Sequence, residues 1–137
     1  MFKVINAKPE RHITALAGAN LYKGQLAIFD TGEAKPAAAA ISAATAYGIV
    51  LDSVLDTKLV QLYPLVGTEL EADVYQSGVL TEFTDAMIGL AYDIVVTVNE
   101  MEVDPNDTTG GFFVLTGYNN DTHKCYGRIA LADIYLA

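Results

Sequence analysis

Apolar and polar positions alternate with period two along much of the chain, most plainly at Glu69–Tyr75. There Leu70, Ala72 and Val74 fall on one face and Glu69, Glu71 and Asp73 on the other. That pattern predicts a strand with one buried and one wet face. Short continuous apolar runs predict further strands: His12–Leu16, Gly24–Asp30 closed by Thr31-Gly32, Tyr47–Leu51, and Lys58–Tyr63 stopping at Pro64. The last two read as consecutive strands joined by a turn over Asp52–Thr57. Lys124–Leu131 reads as a strand entered from the Asn119-Asn120-Asp121 turn. The clearest expectation is a hairpin over Ala91–Tyr118. In it the β-branched run Ile94–Val98 pairs with Phe112–Thr116 across an acidic, protruding turn from Asp104 to Gly111. Between these elements, Thr84 or Asp85 caps a single helical turn through Ala86–Ile88 that Gly89 ends.

Two stretches break the rhythm. Residues 1–11 open with the short run Phe2–Ile5, interrupted by Ala7-Lys8-Pro9-Glu10, and read as an extended arm. Residues 34–46 hold eight alanines in thirteen positions, which favours helix by propensity, but Pro36 and the lack of a large apolar face leave little to anchor one. This segment reads as a lid or linker. Crossover helices are missing, so the chain is expected to be all-β: a compact barrel or sandwich of about eight short strands, with at most one or two short helices and an extended N-terminal arm. At 137 residues it is expected to be a single domain, 1–137.

Charge adds a division that hydropathy does not show. Residues 1–35 carry five basic and three acidic side chains, and residues 36–137 carry three basic and fourteen acidic ones, within an overall net charge of −9. An acidic body argues against tracking a nucleic-acid backbone, which needs clustered Lys and Arg. The basic front of the chain suits steering onto an acidic protein partner. No apolar run approaches the length of a membrane span, and the charged N-terminus lacks the apolar core of an export signal, which places synthesis and assembly in a cytoplasm. Cys125 is the only cysteine, so an intrachain disulfide framework is ruled out and a buried thiol is expected.

Candidate chemistry is thin. His123 and Cys125 offer two zinc ligands where a closed site wants four. Asp104–Gly111 resembles a calcium loop, but its glycine falls a place late for an EF-hand and Leu115 stands at the twelfth position. Glu100, Glu102 and Asp104 read as solvated charges rather than an acid/base pair, and Gly110-Gly111 precedes a strand, not the helix a phosphate cradle needs. No enzyme activity, cofactor or metal is expected.

The motifs LYKGQLAIFDTG (21–32), AYGIVLDS (46–53), VQLYPLVGTELEADV (60–74) and IGLAYDIVVT (88–97), followed by DPNDTTGGFFVLTGYNNDT, resemble in their order the small capsid decoration, or cement, proteins of tailed bacteriophages. The resemblance spans about residues 20–125. It implies a non-enzymatic all-β protein, a homotrimer on the outer surface of the virion head, that holds neighbouring major capsid proteins together. Under that reading Phe2, Lys3, Val4, Lys8 and Arg11 of the arm, with Tyr135 and Leu136 of the apolar tail, are the expected capsid or subunit contacts. The alternative is a phage head-fibre or appendage β module binding host surface carbohydrate, which would cluster exposed tyrosines as a stacking platform.

Overall fold

The computed structural model describes residues 1–6, 12–37, 46–65, 68–97, 100–109 and 111–129, whose regular secondary structure is strand apart from a short helical turn. In chain order the strands are β1 Lys3–Asn6, β2 Ile13–Ala17, β3 Leu26–Asp30, β4 Glu33–Pro36, β5 Ala46–Val50 and β6 Leu59–Pro64. There follow β7 Glu69–Val74, β8 Ala91–Tyr92, β9 Ile94–Thr97, β10 Glu100–Val103, β11 Phe113–Asn119 and β12 Lys124–Ile129. Strands β2, β4, β3, β5 and β6 close a five-stranded barrel, and the others form a sheet ordered β8-β11-β12-β7-β10-β9, with β1 also paired to β7.

A five-stranded barrel is narrow, so its interior must be filled by small side chains. Ala15, Ala17, Ala27 and Ala34 supply them, packed with Leu21, Val50, Val60 and Leu62. Strands β3 and β5 bury both faces. Ala27 and Val50 point into the barrel, while their neighbours Leu26 and Ile49 join the larger core under the sheet with Phe113, Leu70 and Met101. That two-sided burial is why these segments read as unbroken apolar runs. The Leu26 N–H donates to Met101 Sδ at 3.1 Å, tying β3 to β10 across the shared core.

Two expectations are corrected. The Ala-rich lid does not begin at residue 34. Thr31 and Gly32 both have positive φ (50° and 84°), as a two-residue type I′ hairpin turn requires, so the chain doubles back at once and Glu33–Pro36 forms β4 between β3 and β2. Residues 38–45 lie outside the described residues. Nor do Ile94–Thr97 and Phe113–Asn119 pair. β9 turns back on β10, with Met101 opposite Val96 and Val103 opposite Ile94, whereas β11 pairs with β12 and, through Phe113 opposite Tyr92, with β8. The two runs sit toward opposite ends of the sheet. The connection between β10 and β11 is not a protruding tip: the Asp93 N–H donates to the Asp107 carbonyl at 2.9 Å, and Asn106 bonds the Leu80 backbone through both its amide atoms.

Other expectations hold. Leu70, Ala72 and Val74 are buried on β7, and β5 and β6 pair antiparallel. A single 3-10 turn, Asp85–Met87, follows Thr84 and is ended by Gly89 at φ 90°. Residues 3–6 are extended, as expected, but they are laid along β7 as β1 and not held away from the body.

Candidate functional site

Strand β7 has β12 along one edge and divides the other between two partners. β1 covers Glu69–Glu71 and β10 covers Asp73 and Val74. Antiparallel pairing of Lys3 with Glu71 carries the amino terminus toward Asp73, where β1 stops and β10 takes over. The Met1 ammonium lies 3.1 Å from Asp73 Oδ2 and 3.4 Å from Glu100 Oε2, and Lys124 Nζ forms an ion pair with Asp73 Oδ1. Burial alone would push the Asp73 pKa up. The hydrogen bonds and charges of Lys124 and the amino terminus outweigh it and hold the carboxyl below its ordinary value. Lys124 is held above its ordinary range, chiefly by its hydrogen bond to Asp73. Among the described residues Glu102 has no ion-pair partner, and only the more distant charge of the amino terminus pulls its pKa down. Burial, then the charges of Glu100 and Asp73, push it up.

Beside this network the barrel and sheet enclose a recess of about 430 Å³. Its apolar lining includes Val4, Ile49, Tyr63 and Ala72, and its charged rim is Lys3, Lys23, Lys124, Glu71 and the amino terminus. Gly24 forms part of the wall at φ 86°. Its carbonyl accepts the Phe2 N–H at 3.0 Å, and any Cβ there would strike the Phe2 carbonyl oxygen. Phe2 itself is 4% exposed and stacks on Phe113 at 6.1 Å between ring centroids, so it anchors β1 in the core.

A second surface lies on the outside of the barrel. Leu16 on β2 and Leu59 on β6 are direct cross-strand partners, yet they are 41% and 69% exposed. Leu55, 66% exposed, precedes Leu59 in the β5–β6 connection and shares a recess of about 140 Å³ with Tyr22, also exposed. Side chains on one face of an antiparallel pair lie about 5 Å apart, so Leu16 and Leu59 form a continuous apolar strip facing solvent.

The acidic connection gathers half-buried Asp93, Asp104 and Asp107, with no cation within 4 Å among the described residues. Burial first, then the charges of Asp107 and Asp104, raise the Asp93 pKa against its bond from the Ile94 N–H. Carboxylate oxygens here already accept backbone hydrogen bonds: Asp104 from Asn106, Asp107 from Thr109. They make turns. Among the described residues no group of three or more His, Cys, Asp or Glu is placed to hold a metal ion. The thiol of Cys125 is buried, and burial pushes its pKa up to about 12, so it is protonated at neutral pH.

Of the contact residues expected from the sequence, Phe2, Lys3 and Val4 line the recess, and the Phe2 ring is also packed into the core. Lys8, Arg11, Tyr135 and Leu136 lie outside the described residues. Sequence reasoning missed Lys23, Lys124 and Asp73, whose meeting depends on pairings between distant strands. It also missed the Leu16–Leu59 strip, for which alternation at Ile13–Ala17 gave a signal: Ala15 and Ala17 point in, so Leu16 must point out. No family model matches the chain, and no curated protein matches its sequence.

Proposed function

We propose that this chain is a capsid decoration, or cement, protein: it binds the outer surface of a tailed-phage head, as a homotrimer, and stabilises contacts between major capsid proteins. The observation that carries the reading is the cross-strand pair Leu16 and Leu59 exposed on the barrel exterior. Large apolar side chains set side by side in water, on a small acidic chain, suit a surface completed by a partner. The motifs that resemble decoration proteins support the same reading, since they build the barrel strands β3, β5 and β6 and their continuation into β7 to β9. Weak contacts of this kind hold a shell through multivalency: three copies docked together bind far more tightly than one. The carbohydrate-binding alternative draws less support, because Tyr92 is 1% exposed and Tyr63 and Tyr75 are half-buried on separate elements.

The test is cosedimentation with purified tailed-phage heads in their expanded and unexpanded forms. The proposal expects stoichiometric binding to expanded heads and none to unexpanded ones. Absence of binding to both would defeat it.

A further inference from the structure

The recess between barrel and sheet is not needed for the capsid reading, and its chemistry is unlike the rest of the molecule. On a chain of net charge −9, it brings together Lys3 from β1, Lys23 from the approach to β3, Lys124 from β12 and the amino terminus. Two of these four cations are ion-paired: Lys124 with Asp73, and the amino terminus with Asp73 and Glu100. Lys3 and Lys23 have no carboxylate within 4 Å among the described residues, and Glu71 is the one acidic side chain in the lining. The lining also offers an apolar surface, Ile49 and Tyr63 from the barrel and Val4 from β1. Junctions of this kind, apolar with a few convergent polar groups, are where ligands and partner side chains settle.

We infer that this recess binds a short acidic segment of a protein partner, with an apolar side chain seated between β1 and β5 and a neighbouring carboxylate received by Lys3 and Lys23. Charge complementarity argues for the acidic character. Lys3 and Lys23 stand at the rim without an ion-pair partner among the described residues, and a partner carboxylate would complete both ammonium groups. Confinement argues for a peptide and against a nucleic acid. A phosphate backbone running out of the recess would meet Glu69 and Glu71 on β7 and Glu100 and Glu102 on β10, whereas a segment with one or two carboxylates stays among the lysines. The recess is large enough for a side chain or two and too small for a folded element. Its rigidity comes from the β1 anchor, because the Phe2–Gly24 hydrogen bond and the Phe2–Phe113 stack hold the wall that carries Lys3.

The experiment is an amide NMR titration of the isolated protein, which requires no heads and so succeeds or fails independently of the capsid reading. The probe is a blocked pentapeptide alternating leucine and glutamate; controls are the same peptide with lysine for glutamate, and a ten-nucleotide thymidine oligomer. Expected are saturable shifts at Lys3, Lys23, Gly24 and Lys124 with the acidic peptide only, weakened about tenfold between 0.05 and 0.5 M salt. They should be lost in the Lys3→Gln/Lys23→Gln variant, which removes both charges at exposed positions without setting a carboxylate opposite Glu71. No saturable shift with the acidic peptide, or equal shifts with the lysine peptide, would overturn the inference. So would tighter binding of the oligonucleotide at the same residues, or concentration-dependent shifts there without any peptide, which would put a second copy in the recess.

Discussion

Asp73 and Lys124 face each other across the β7–β12 ladder, and their side chains form an ion pair that the Met1 ammonium joins from the other carboxylate oxygen. One carboxylate thereby ties the start of the chain to the centre of its sheet.

Replacing Asp73 by Asn should cost about 1 kcal/mol at pH 7, the scale of a partly exposed ion pair. The folded-state pKa of Asp73 lies below the ordinary 3.8, so its contribution is present above 3.8 and is lost as pH falls through the depressed folded value. Urea unfolding between pH 6 and pH 2 should show the wild-type advantage over Asp73→Asn shrinking toward zero at the acid end. An advantage independent of pH would contradict the account.

Asp93 runs the opposite way. Its folded pKa is raised, by burial and by Asp107 and Asp104, so its ionised form weakens the fold above that value and the penalty disappears as pH falls toward and below 3.8. Asp93→Asn keeps an oxygen for the Ile94 N–H and should stabilise the protein by roughly 0.5 kcal/mol at pH 7. Thermal melts at pH 7 and pH 3.5 should show the gain only at the higher pH.

Gly24→Ala should cost about 2 kcal/mol, because a side chain at φ 86° is strained and its Cβ would push against the Phe2 carbonyl. Hydrogen exchange should show the amides of Phe2 and β1 losing protection well before those of β6. Uniform loss of protection would mean that β1 is not a separate dock.

Ala34→Leu should cost about 1–3 kcal/mol by overfilling the five-stranded barrel, and the solvent-facing Leu59→Ser should leave stability nearly unchanged. Denaturant midpoints of the two variants decide this. A tolerated leucine at residue 34 would mean that the barrel is wider than its alanines imply.

These sites differ in how far the sequence announced them. β7 was legible from strict alternation, and β3 and β5 from apolar runs that two-sided burial explains. β10 carried the same alternation, Glu100 and Glu102 out with Met101 and Val103 in, but its acids read only as solvated charges; the similar composition of Ile94–Val98 and Phe112–Thr116 then suggested a false hairpin. β4 was hidden by alanine propensity, although Thr31-Gly32 demanded a returning strand. In the recess Phe2, Lys3 and Val4 were foreseen as contacts, and Lys23 and Lys124 were not. Lys124 and Asp73 are 51 residues apart, and nothing local to either reports the register that joins them.

The central claim is that the Leu16–Leu59 strip docks on a phage shell. Its most direct measurement is a cryo-electron-microscopy reconstruction of expanded heads saturated with the protein, beside heads given the Leu16→Lys/Leu59→Lys variant. The account predicts ordered threefold density with the barrel strip against the capsid protein for the wild type, and bare heads for the variant. Full occupancy by the variant, or wild-type density with the strip facing solvent, would contradict it.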